Sequence, residues 1–426
     1  MKHNLTTLVP AFLLFLLPAC SGCSGNGKAK DSGTDASSDA DSDTDTDSDA
    51  DTDSYTGPTD AGPWIWSDNP QGEDCGPGCT QLTFSEEVEP GQWDVWDKYL
   101  VYRDEDTRIW AVDIVEKKHM RIPDPHPEYP VGFGKGSLAY YPTAQGVHVY
   151  YGWKSYYSTP RKEEVIKVDL AQKTQEVVSL VAETSGNSLD YVPRFLDASD
   201  SHVVSQAGCG DGEEQTLCLF DVSTMPAKVS VLINDGYGNY NSIWNNVFVF
   251  TDSRPGLTFD ITGYDIGGKA FFPVTNDAEY TQAYPRIQGD RVVYVDLKFG
   301  TNQDAVMGDW NHAAIFVYDM KTKERPQVTS GDWTCVAPDI WNEIVVWADY
   351  RDCNNPNNGN DFSNVQVWGY NLDTKKEFRI TNLPTAAYPE RPKEDPRVWG
   401  YKVFVDMMKP AGGTAIYMFD LPEGVR

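Results

Sequence analysis

One short pattern recurs seven times in this chain: an aliphatic or aromatic residue, then Asp or Asn, then an aliphatic residue. The instances "AVDI", "KVDL", "LFDV", "GYDI", "VYDM", "GYNL" and "MFDL" place Asp113, Asp169, Asp221, Asp265, Asp319, Asn371 and Asp420. Successive spacings are 56, 52, 44, 54, 52 and 49 residues. A repeat of that length requires one supersecondary unit used over and over, and it limits the fold before any site is considered.

Each unit carries more than the acidic residue. Upstream lies a β-branched and aromatic run: "YLVYRDE", "VHVYYGW", "HVVSQAG", "VFVFTDS", "RVVYVDL", "IVVWADY" and "KVFVDMM", with cores at Val101, Val149, Val204, Val249, Val293, Val346 and Phe404. A polar loop follows, then the strand ending in the signature, a turn such as "KTKE" or "DTKK", and a further strand. Proline often opens the next unit, as in "YVPRF", "AYPRI", "VAPDI" and "EDPRV". The strands are apolar on both faces, as small sheets stacked between two others must be. No helical period appears after Leu17. Four short strands per unit predict an all-β, seven-bladed β-propeller. Six blades would require demoting the divergent unit around Cys209–Asp221. The last unit lacks a final strand after "MFDLPEGVR", whereas "CTQLTF" supplies a matching one at Leu82-Thr83. The N-terminal strand is therefore expected to complete the seventh blade and close the ring.

The chain ahead of that strand reads differently. "MKHNLTTLVPAFLLFLLPAC" has a basic start and an apolar run from Leu8 to Leu17. That run is too short to span ~30 Å of hydrocarbon as a helix, and it reads as an export signal. Residues 21–62 contain eleven Asp, two Lys and no aliphatic residue larger than Ala. Such a segment buries too little apolar surface to offset its chain entropy and is expected to be a disordered acidic linker. The expected organisation is a signal peptide over 1–20, this linker over 21–62 and the propeller over 63–426.

The formal charge is −29, and most of it lies in the body, which argues against a nucleic-acid partner. Beyond Cys20 and Cys23, the cysteines form three close pairs: Cys75/Cys79, Cys209/Cys218 and Cys335/Cys353. All three are expected as disulfides in an oxidising compartment, the last two on the face of the long loops. "CGPGC" offers two ligands and no nearby His, so no metal or other cofactor is expected. No His-Glu-x-x-His or Gly-x-Ser-x-Gly motif is present, and no residue is assigned as catalytic. The repeated Asp-x-Arg/Lys at Asp252/Arg254, Asp296/Lys298 and Asp349/Arg351 is expected to be a structural device between blades, because an active site is needed once.

Two resemblances add to this. "LPAC" resembles the lipobox of bacterial lipoproteins, which implies lipidation of Cys20; Ser21 after it implies the outer membrane. The units "RIQGDRVVYVDLKFG…AIFVYDMKTKERPQVT" and "DIWNEIVVWADYRDC…VQVWGYNLDTKKEFRIT" resemble TolB-type propeller repeats. That resemblance implies a six- or seven-bladed ring used for binding, with diverse functions.

Ligand-facing residues are expected where long loops and blade connections meet. The candidates are Tyr191, Tyr284, Trp333 and Tyr388, with Arg194, Arg286 and Arg397 of "PRF", "PRI" and "PRV". The arginines would offer fork-shaped donors to an acidic ligand, unless each pairs with an Asp of a neighbouring blade. The expected function is a monomeric, lipid-anchored module at the periplasmic or outer surface that binds a protein, peptide or glycan without catalysis. The alternative is a lyase-type enzyme acting on polysaccharide. For the anchor, mass spectrometry of membrane-extracted protein is expected to find an acylated N-terminal Cys20; an unacylated chain starting elsewhere overturns it.

Overall fold

In the computed structural model the described residues are 64–68, 75–76, 78–83, 88–126, 137–155, 161–184, 194–206, 216–233, 238–252, 259–276, 280–297, 311–358, 361–382, 395–409 and 413–425. Cys20 and the linker lie outside them. Seven small antiparallel sheets form the seven blades of a β-propeller, and no helix occurs among the described residues. The inner strands of blades 1 to 7 are Val88–Trp96, Ser137–Gln145, Arg194–Ser199, Gly238–Trp244, Gln282–Gln288, Cys335–Trp341 and Arg397–Trp399. The divergent unit around Asp221 is a full four-stranded blade 3, so the count is seven. Blade 1 gains a fifth strand, Ser67–Asp68, and the fourth strand of blade 5 shrinks to one bridge, Phe316–Gln327.

Ring closure follows the expectation. Cys79–Gln81 pairs antiparallel with Thr414–Asp420 as the outer strand of blade 7. Beyond it the Leu82 N–H donates to Ile416 O at 2.8 Å, and the Ile416 N–H donates to Thr83 Oγ1 at 2.9 Å. The expected Cys75–Cys79 disulfide is present at the start of this strand.

Local chemistry explains the repeat. Each inner strand turns into the next through a two-residue hairpin, and the first turn residue has positive φ: Asp97, Gly146, Asp200, Asn245, Gly289, Asn342 and Gly400. Only Gly, Asn and Asp occupy these places, the residues for which the left-handed region is cheapest. The acidic signature serves the second hairpin. The Asp319 carboxylate accepts the Lys321 and Thr322 N–H groups at 2.8 and 2.9 Å, and Asp113, Asp169 and Asn371 repeat the arrangement. Each of these turns then passes through a left-handed lysine: Lys117, Lys173, Lys323 and Lys375. The signature is thus a turn cap, in which a short side chain satisfies N–H groups that the ladder cannot reach.

Apolar side chains pack between neighbouring blades, as where Val101, Ile109 and Ala111 of blade 1 meet Val149, Tyr151 and Ile166 of blade 2. The register places Tyr150, rather than Val149, in the series with Val101 and Val204.

The cysteine expectations divide. Cys218 is disulfide-bonded, while its expected partner Cys209 lies outside the described residues. Cys335 and Cys353 are both buried free thiols, contrary to the expected bridge. The Cys335 Sγ points to the Asp349 carboxylate across the strand pair at 3.5 Å, and Cys353 sits in a turn closed onto Tyr350 O. Their buried packing needs no cross-link.

Leu82, 4% exposed, anchors the closing strand. Leu82→Ala is expected to cost about 2–5 kcal/mol of stability in chemical denaturation. A negligible loss would show that closure does not depend on that strand.

Candidate functional site

The inner strands build the site. Six of them are irregular at one level, with register shifts between Val88 and Trp93, Tyr140 and Thr143, Arg194 and Asp197, Asn239 and Ser242, Ala283 and Arg286, and Val336 and Asp339. Gly91, Tyr141, Tyr240, Tyr284 and Ala337 carry the bulge with positive φ. For a tyrosine that conformation costs roughly 1–2 kcal/mol, so three such tyrosines at one level mark a built feature. The Tyr240 and Tyr284 rings meet tilted, with centroids 4.0 Å apart, and the Tyr284 hydroxyl donates to that of Tyr240 at 3.1 Å.

Each blade, just past the bulge in the six that have one, places one residue opposite the third residue of its second strand: Asp94, Thr143, Asp197, Ser242, Arg286, Asp339 and Arg397. The constant two-residue hairpin gives them a constant offset of 7 positions from Val101, Tyr150, Val204, Val249, Val293, Val346 and Phe404. This spacing is the sequence signal that would have found them.

Most of this ring is structural. An inner strand is an edge strand, and its outward N–H groups need acceptors. Asp94 Oδ2 accepts the Ala144 N–H of blade 2 at 3.0 Å and the Thr143 hydroxyl at 2.8 Å. Asp197 takes the Ile243 N–H of blade 4 at 3.0 Å, Ser242 that of Ile287 in blade 5 at 3.3 Å, and Asp339 that of Val398 in blade 7 at 2.8 Å. Arg286 and Arg397 cannot do this, because a guanidinium has no acceptor.

The far end of the channel is closed by four tryptophans one step further along. Trp96 meets Trp244 at 5.5 Å and Trp399 at 4.4 Å; Trp341 meets Trp399 at 3.7 Å and Trp244 at 6.2 Å between ring centroids. Blades 1 and 4 are not neighbours, so the Trp96–Trp244 contact crosses the axis and plugs it.

On the bulge side of the plug lies a cavity of about 110 Å³ lined by Trp93, Asp94, Asp197, Asn241, Arg286 and Arg397 among others, with Tyr141, Tyr240 and Tyr284 at the bulge level. Exposed Gly91 on its wall marks the open side. The channel is thus a blind cup. Several polar atoms in it have no partner: both amide atoms of Asn241 and the Trp93 Nε1, each residue 4% exposed, and the buried Arg397 Nε. Among the described residues no hydrogen bond reaches the Arg286 guanidinium.

The charges sense one another at longer range. Burial, then the Asp94 charge, pushes the Asp197 carboxyl up to about 6, against Arg286 and two backbone N–H donors. Burial also raises Asp339, with Arg397 and Arg286 opposing. Arg286 is lowered by burial and by Arg397, while burial of Arg397 is outweighed by Asp395 and Asp339. Arg397 also lies 3.9 Å from Asp395.

Of the expected site residues, Tyr284, Arg286 and Arg397 converge on this cup. Tyr191 and Tyr388 lie outside the described residues. The strand register sets Arg194 apart from the other two arginines. It pairs with Gln206, three residues before Asp197, which takes the ring position; "PRF" and "PRI" look alike but differ in phase. Trp333 is spent inside blade 6, where its Nε1 donates to Asp349 and its ring lies 4.6 Å from the Arg351 guanidinium. Arg351 also faces the Trp368 ring at 3.7 Å and pairs with Asp349 and Glu377. This Asp-x-Arg link is structural as expected, yet it ties strands within one blade rather than between blades. Asp94, Asp197, Asn241 and Trp93 were not expected, since nothing in their local sequence marks them without the register.

No protein-family model and no curated protein sequence matches the chain. Solved structures match at fold level. An oligogalacturonate lyase in complex with manganese superposes with a TM-score of 0.52 at 15% identity over 85% of this chain and 98% of that one. An oligogalacturonate lyase from Vibrio parahaemolyticus gives 0.51 at 12% over 82% and 94%. The β-propeller domain of the trilobed protease from Pyrococcus furiosus, with open velcro topology, gives 0.51 at 11% over 79% and 95%. TolB from Acinetobacter baumannii superposes at only 0.38, with 12% identity over 77% and 78%, too loosely to carry weight. These likenesses show a propeller fold and no more.

Asp197 gives the site a measurable signature. Its raised pKa means that its contribution to stability is fully present below about pH 4, where the carboxyl is protonated in both folded and unfolded chains. Stability then falls as the pH rises through 6, by on the order of 1–3 kcal/mol. Asp197→Asn is expected to flatten that fall in denaturation curves recorded between pH 4 and 7; an unchanged slope would place its titration elsewhere.

Proposed function

We propose that this protein is a lipid-anchored binding module of the cell envelope. In this reading its propeller stands off the membrane on the acidic linker behind Cys20 and captures a polar group of a protein, peptide or glycan in the blind central cup. The observation that carries it is the failure of Arg286 and Arg397 to follow the ring's structural rule. A position that caps the next blade's backbone with Asp or Ser instead holds a guanidinium that cannot accept a hydrogen bond. Arg286 in turn finds no hydrogen-bond partner among the described residues. Burying such a group costs free energy unless something supplies acceptors.

Asp197 favours a second reading, a lyase-type enzyme acting on polysaccharide. A carboxyl titrating near 6 beside an arginine has the profile of a general acid or base. Binding is the better-supported reading because Asp197 already accepts two backbone N–H groups and has a structural task. Incubation with an acidic polysaccharide, followed by ultraviolet absorbance for unsaturated sugar ends, separates the two; accumulating product would establish the enzyme.

Arg286→Ala tests the cup itself on glycan and peptide arrays. The expected result is at least a tenfold loss of acidic ligands with little change in melting temperature. A large melting loss with unaltered binding would assign Arg286 to holding blades together.

A further inference from the structure

The cup is polarised across its axis. Blades 1 to 3 contribute the carboxylates of Asp94 and Asp197 on either side of Thr143. Blades 5 to 7 contribute the guanidiniums of Arg286 and Arg397 on either side of Asp339, whose carboxylate is engaged by the Val398 N–H. The basic half has donors to spare. Asn241, on the blade next to Arg286, has a wholly unpartnered amide, and Trp93 has an unpartnered Nε1 with its ring 5.8 Å from the Arg397 guanidinium. The acidic half has acceptors to spare. An ionised carboxylate offers about four lone-pair sites, and Asp94 and Asp197 each fill two of theirs.

This arrangement rejects simple ligands. A lone anion meets Asp94, Asp197 and Asp339. A lone cation meets two arginines. A neutral group leaves Arg286 without an acceptor in a confined space, although Arg397 already faces Asp395 at 3.9 Å. A molecule carrying both signs satisfies each half and adds no net charge. The cavity of about 110 Å³ compares with roughly 10–15 Å³ per water on the same kind of measure, so it holds several heavy atoms and not a chain.

We propose that the cup binds a small zwitterion of the free α-amino acid class. Its carboxylate is received by Arg286 and Arg397 with the Asn241 and Trp93 N–H donors, and its ammonium by Asp94 and Asp197. This assignment rests on the cup being a binding site. Charge-assisted pairs at both ends give it orientation as well as affinity.

Titration calorimetry on the folded protein tests it, with L-alanine, L-serine and L-glutamate as probes. Propionate and ethylamine serve as half-ligands, and galacturonate as an acid without an amine. The expected result is an amino acid binding with Kd below about 1 mM, with either half-ligand and galacturonate at least tenfold weaker. Arg286→Gln and Asp94→Asn should each remove binding while the melting transition stays cooperative; should Asp94→Asn unfold, Asp197→Asn replaces it. Galacturonate or propionate binding as tightly as every amino acid, and lost in Arg286→Gln, overturns the zwitterion while leaving the cup a binding site. No binding by any probe, together with array binding that Arg286→Ala does not alter, overturns both.

Discussion

The ring depends on what caps the outward N–H groups of its inner strands. Every blade presents an edge strand to the axis, and an uncapped edge is both a desolvation cost and a template for wrong pairing. Here a side chain of one blade accepts the backbone N–H of another: Asp94 for Ala144, Asp197 for Ile243, Ser242 for Ile287, Asp339 for Val398. A second tier lies one step nearer the plug, where Ser199 accepts the Asn245 N–H at 2.7 Å and Gln288 accepts that of Asn342. These bonds fix the blades around the axis, while the apolar faces between blades supply the bulk of the burial.

The same requirement creates the site. A capping residue must be short, must accept, and must sit beside the channel. Meeting it around a closed ring gathers carboxylates at one level in a confined space. Burial, and then repulsion from Asp94, pushes the Asp197 carboxyl up to about 6, and Arg286 in the same ring opposes that shift. The functional candidates are the places where this rule is broken, because there the side chain is released from the backbone. The four-tryptophan plug then turns a channel into a cup by closing one end with surface that needs no hydrogen bonds.

Much of the fold was legible along the chain. The Asp or Asn of the signature is a turn cap acting over two or three residues, so its period reported the blades directly. Closure was visible too, because the last unit's missing strand and "CTQLTF" are complementary. Arg286 and Arg397 were found from the proline just ahead of each, and Tyr284 from the blade connection that carries it. Arg194 failed the same inference because the proline in blade 3 stands three residues out of phase, and only strand pairing reports phase. Cys335 and Cys353 failed because nearness in sequence does not set the direction of a side chain.

The repeat, the number of blades and the way the ring closes can be read along the chain, since each is encoded by local turn chemistry and strand pattern. The tertiary structure decided which residues face one another across the axis. That Trp96 touches Trp244, that Asp94 raises the pKa of Asp197, and that Asn241 and Trp93 are left without partners beside two arginines follow from bringing non-adjacent blades within a few ångströms. Those distances depend on the closed circle as a whole, and no local pattern carries them.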